Sequence, residues 1–174
     1  MTGTMPHVPY IEAVTAALTA AGLEPGEVDV RDSETRGVYP YLDAVITLDP
    51  SGSHDLPDEE IPAGTPWRHG LLLLWEWHTG AEEGGPEEGP IWQFAELKAD
   101  GASEYPTDLP VYGYAAPAAV VDAARKVIDR RITPDPFSAF GAARWNGGLI
   151  GGTWERTEEL DAACKAWGAE EVSE

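Results

Sequence analysis

Leu71-Leu72-Leu73-Leu74-Trp75-Glu76-Trp77-His78 and Pro90-Ile91-Trp92-Gln93-Phe94-Ala95-Glu96-Leu97 decide the fold. Both segments are strand-sized and rich in aromatic and aliphatic residues. Between them lies Gly80 to Gly89, glycine-rich and acidic, as suits the link of an antiparallel hairpin. The first strand is expected over Arg68 to His78 and the second over Pro90 to Leu97. If Trp77 lies across from Trp92, then Trp75 and Phe94 share their face by the period-two rule. That register sets Glu76 opposite Gln93 and sends Glu96 to the other face.

The pattern extends outward from this hairpin. Upstream, Leu42 to Leu48 alternates as another strand, and Val28 and Val30 mark one before it. Arg31 to Gly37 is polar and reads as a hairpin loop. Asp49 to Pro66 is rich in Pro, Gly, Ser and acid and reads as a long loop. At the start of the chain, Ile11, Val14, Leu18 and Ala21 recur at helical spacing between Pro9 and Gly22. Downstream, Ala99 to Tyr114 is irregular, and Pro117 to Arg131 is a second helix with Val120, Val121, Ala124, Val127 and Ile128 apolar. After Pro134 the chain turns Gly- and Ala-rich with scattered aromatics, and Glu155 to Trp167 forms a last short helix.

The expected fold is therefore α+β: an antiparallel four-stranded meander with N- and C-terminal helices packed on one face, plus a Gly/aromatic-rich C-terminal extension. The divisions are a flexible tail at 1–8, an α+β domain at 9–132 and the extension at 133–174. A chain of 174 residues suits one such domain.

Three stretches resemble members of a family of small acidic actinobacterial proteins of unknown function. They are Tyr10-Ile11-Glu12-Ala13-Val14-Thr15-Ala16-Ala17-Leu18, the run Leu71 to Gly80, and Leu109-Pro110-Val111 followed by Ala116-Pro117-Ala118-Ala119-Val120-Val121. The resemblance spans residues 9–131. It departs at Ala81, where the family often has an aromatic residue, and leaves out the acidic loop and the C-terminal extension. It implies an actinobacterial or actinophage source and no particular activity.

The charge is lopsided: 31 acidic residues against 11 basic give a net charge of −20. Phosphate is repelled, so direct nucleic-acid binding and anionic membranes are not expected. The single Cys164 cannot form an internal disulfide, the N-terminus lacks the features of a signal peptide, and no apolar run approaches a membrane span. A cytoplasmic protein is expected.

No motif brings a catalytic kit or a cofactor. The histidines His7, His54, His69 and His78 and the lone cysteine form no zinc spacing. Asp55, Asp58, Glu59 and Glu60 lack the pattern of a calcium loop. Gly147 to Gly152 lacks the Lys-Ser/Thr of a phosphate loop and reads as a flexible joint. Glu76 and Glu96 resemble paired glycosidase carboxylates, but their expected opposite faces keep them from cooperating. A pocket gathering either with His69 or His78 would favour an enzyme.

The leading expectation is a non-enzymatic interaction protein, an adaptor, chaperone-like factor or regulator. Its partner would be a protein, a basic one suiting the charge, with a second copy of the chain left open. The acidic contacts would be Asp55, Asp58, Glu59, Glu60, Glu82, Glu83, Glu87 and Glu88, with Phe137, Phe140, Trp145 and Trp154 as aromatic anchors. One alternative is an acidic DNA mimic that inhibits a DNA-binding or defence protein, and another is an enzyme of unrecognised type.

Overall fold

The computed structural model describes residues 5–35, 39–50, 56–65, 67–78, 89–98, 102–104, 106–133 and 148–172. Helix α1 is Val8–Ala20; strands β1 to β5 are Glu27–Thr35, Tyr39–Leu48, Leu71–His78, Gly89–Glu96 and Thr107–Asp108; α2 is Pro117–Ile128 and α3 is Thr157–Val172. The strands form one sheet in the order β1-β2-β3-β4-β5, each neighbour antiparallel. This is the expected meander, lengthened by the two-residue β5.

Strand parity selects the core. Leu42, Ala44, Ile46 and Leu48 of β2 pair with Trp77, Trp75, Leu73 and Leu71 of β3, and all eight are buried. Trp75 and Leu73 pair onward with Trp92 and Phe94 of β4. Residues of all three helices join this one cluster, among them Tyr10, Val14, Val120, Val127, Leu160 and Cys164. The helices thus cover a single face of the sheet, in two layers.

Two sequence expectations shift here. Glu76 pairs with Ile91 and not with Gln93, a slip of two residues. The slip brings Trp75 directly across from Trp92, where Tyr10 packs edge-on against both, at ring-centroid distances of 6.0 and 6.1 Å. Because the slip is even, Glu76 and Glu96 remain on opposite faces. The second shift is larger: Arg31 to Thr35, expected as loop, continue β1 and pair with Asp43 to Tyr39.

The helix ends follow their chemistry. Gly22 adopts φ 85 after α1, and the Leu23 and Gly22 amides donate to the carbonyls of Leu18 and Thr19, closing a Schellman cap. The same cap ends α2, where the left-handed residue is Arg130 at φ 61. A non-glycine residue there is strained. Its guanidinium lies 3.9 Å over the Trp67 ring, and the Trp67 indole N–H donates to the Ile128 carbonyl at 3.1 Å. That contact fastens the entry of β3 to the end of α2.

The C-terminal extension joins the same core. The amides of Ile150, Ala116 and Trp154 donate to the carbonyls of Pro110, Gly152 and Tyr114, each at 2.8 Å. Gly151 takes φ 69, and a Cβ there would lie 2.3 Å from Ala119 Cβ. The described part of the glycine run is therefore a close approach to α2, where sequence suggested a joint. At the other terminus the described end of the expected tail docks: His7 is fully buried, stacked on Trp75 with centroids 5.3 Å apart.

One buried relay connects the layers. Trp92 Nε1–H donates to Tyr10 Oη at 3.0 Å, and the Tyr10 hydroxyl donates to the Ala115 carbonyl at 2.6 Å. Burial pushes the Tyr10 hydroxyl's pKa well above its ordinary value, so it stays a donor. Tyr10→Phe strands a buried N–H and a buried carbonyl together, and the expected cost is about 2–4 kcal/mol. It reads as a lower urea midpoint at unchanged slope. Gly151→Ala is expected to cost about 2–4 kcal/mol, combining left-handed strain with overpacking. Gly148→Ala, at φ 77 in open space, is expected to cost only about 1 kcal/mol. Equal costs for the two alanines would refute the packing term.

Candidate functional site

Of the expected acidic contacts, Asp58, Glu59 and Glu60 fall within the described residues. Asp58–Glu60 form a short 3-10 turn with Glu59 and Glu60 exposed. Asp55, Glu82, Glu83, Glu87 and Glu88 lie outside the described residues, as do Phe137, Phe140 and Trp145. Topology still locates the two connections. Leu48 pairs with Leu71 at one end of the β2–β3 pair, and Tyr41 with His78 at the other. The connection 49–70 thus starts and ends at one end of the sheet, and the connection 79–88 at the opposite end.

Trp154, the described aromatic anchor, faces inward. It is 8% exposed and packs against Tyr10 with centroids 5.1 Å apart. Its neighbours explain this, since the Trp154 amide is tied to Tyr114 and Leu160 is buried on the same helix approach. With Pro6, Pro9, Arg156, Glu159, Leu160 and Ala163 it lines a half-open cleft of about 170 Å³.

The sheet's outer face carries a polar row that strand register builds. Arg31, Asp43 and Glu76 are successive cross-strand neighbours on β1, β2 and β3. The Arg31 guanidinium donates to Asp43 Oδ2 at 2.7 Å, and that bond pushes the Arg31 pKa above its ordinary value. His78 sits two residues beyond Glu76, its Nε2 is 3.2 Å from Glu76 Oε2, and Tyr41 stacks on its ring. The structure therefore brings Glu76 to His78, while Glu96 lies on the other face, 3.9 Å from Arg130. Such a pair is able to relay a proton. Among the described residues, no three His, Cys, Asp or Glu side chains are grouped to hold a metal ion.

The feature that sequence read too short is β1. It is nine residues long and forms one edge of the sheet, with no further strand paired to it among the described residues. Glu27, Val28, Asp29, Arg31 and Asp32 are exposed, and Val30 alone of 27–32 is partly buried. The strand EVDVRDSET carries four carboxylates and one guanidinium. Polar residues disguise its second half, Arg31 to Thr35, as loop, since only Val28 and Val30 alternate. The pairing of an arginine at 31 with an aspartate at 43 was its one cross-strand signal.

Cys164 is chemically quiet. Burial pushes its thiol up to about 12, beside the Tyr114 hydroxyl, which itself donates to Asp161 Oδ1 at 3.1 Å. The folded thiol holds its proton above the pH where the unfolded one loses it, so stability is intact below about pH 9 and falls as pH rises through about 12. Urea midpoints measured from pH 8 to 10 should begin to drop near pH 9, and less so in Cys164→Ala. Native Cys164 should also resist thiol reagents that label it at once in urea; rapid native labelling would contradict its burial.

Among the described residues, no helix is long and apolar enough to cross a membrane. No family model matches the chain, no curated protein matches it, and no solved structure matches it.

Proposed function

We infer that this chain is a non-enzymatic protein-interaction module that receives a basic, extended segment of its partner along β1. The observation that carries the reading is the edge strand β1, exposed at Glu27, Val28, Asp29, Arg31 and Asp32, with its surplus of carboxylates. An open edge offers unpaired backbone groups to any extended chain, and strand addition is a recurring mode of peptide recognition. Charge then selects the guest. A second copy of β1 would set acid against acid, which disfavours self-pairing, whereas a strand with alternating lysines or arginines finds partners. The net charge of −20 adds long-range attraction for such a segment, speeding encounter more than tightening the complex.

The cytoplasmic setting and the actinobacterial or phage source belong to this reading as expectations from sequence. The aromatic stock supports a module whose recognition is by backbone and charge: Trp67, Trp75, Trp77 and Trp92 are all buried in the chain's own core.

The test uses extended octapeptides alternating lysine with valine or threonine, followed by fluorescence anisotropy at low and high salt. Binding should weaken with salt, and β1 amides should gain hydrogen-exchange protection. Glu27→Lys/Asp29→Lys should reduce affinity at least about tenfold, the equivalent of about 1.4 kcal/mol. Glu158→Lys/Glu159→Lys makes the same charge change on exposed positions of α3 and should leave most of the affinity. Equal losses in both variants, or binding without β1 protection, would overturn edge docking.

A further inference from the structure

His7 is a fully buried titratable group that the interaction reading does not use. It precedes α1 at the N-cap position, and its ring lies flat on Trp75, with centroids 5.3 Å apart and planes 18° apart. Its Nε2 is 2.9 Å from the Asp43 carbonyl oxygen, an acceptor, so the neutral ring carries its proton on Nε2. Nδ1 is then a bare acceptor, buried and without a hydrogen-bond partner. A second proton would have to sit on that nitrogen, which makes no hydrogen bond in the folded geometry.

The surroundings divide over the charged form. Burial opposes it most, and the start of α1 adds the positive end of a helix dipole. In favour are the Asp43 carbonyl and carboxylate from β2 and the Arg31 backbone and Asp32 carboxylate from β1. The Asp43 carboxylate is already paired with the Arg31 guanidinium, and β3 contributes the uncharged Trp75. Opposition wins, and the His7 pKa falls below its ordinary 6.5.

We propose that His7 is an acid-operated latch: adding a proton to its orphan Nδ1 unseats the chain entering α1 from β2 and uncovers the Trp75 face. The segment that leaves is short and hinged by Pro6 and Pro9, which also wall the cleft beside Trp154. Release therefore opens that cleft and converts a covered aromatic surface into an exposed one. The sign is fixed by linkage. The latch is fully closed above pH 6.5, and each pH unit below that weakens it by up to tenfold until the folded ring itself titrates.

The experiment is amide exchange of the intact chain at pH 7.5 and pH 5, corrected for intrinsic rates, with acrylamide quenching of tryptophan fluorescence alongside. The amides of Val8, Tyr10 and Ile11 should lose protection at pH 5, by up to about 30-fold, while those of β3 and β4 keep theirs. His7→Gln keeps a donor for the Asp43 carbonyl but cannot titrate, and should show no such loss. A ring-proton titration of wild-type His7 by NMR gives an answer independent of that variant: its midpoint should lie below 6.5 and coincide with the release. Unchanged protection at pH 5, a His7 midpoint at or above 6.5, or simultaneous loss throughout the sheet would overturn the latch.

Discussion

The packing of all the layers turns on the hydroxyl of Tyr10. It accepts from Trp92 in the sheet and donates to Ala115 just before α2, and its ring packs against Trp75, Trp92 and Trp154. A buried tyrosine hydroxyl must find partners, and its two partners here are fixed in space. The β3–β4 register, the approach of α2 and the docking of the C-terminal segment are therefore decided together. A shift in any one would orphan a polar atom in a dry interior.

The core explains why function is sought at the edge. Four tryptophans, Trp67, Trp75, Trp77 and Trp92, are buried outright. Trp75 donates to Gly113, where a Cβ would lie 2.1 Å from the Pro90 oxygen, so the turn before α2 fits only a bare backbone. These aromatic residues hold the layers together and are not spare for a docking surface. The described surface offers charge and the edge strand β1, and these suit recognition by steering and backbone pairing.

Sequence disclosed the parts of the fold that repeat and hid the parts that do not. Trp75-Glu76-Trp77 shows which face of β3 turns inward, and α1 shows its stripe in Ile11, Val14 and Leu18. The register stayed two residues off because four consecutive leucines fit either pairing. The second half of β1 was hidden because an edge strand has few apolar residues to display. His7 and Gly151 were hidden for a different reason: each owes its place to one distant neighbour, Trp75 or Ala119, and local pattern carries no trace of that. Of the candidate site, the acidic character was legible, and the full length of the strand that presents it was not.

One aromatic core unites the N-terminal helix, the sheet and the C-terminal helix, and native-state hydrogen exchange across a urea series probes that union without an intermediary. The amides of Trp75, Trp92 and Cys164 should open with the same free energy and the same urea dependence, as one cooperative unit. If Cys164 and its helix open at far lower free energy than the strands, the C-terminal segment is an appendage and the shared core does not exist.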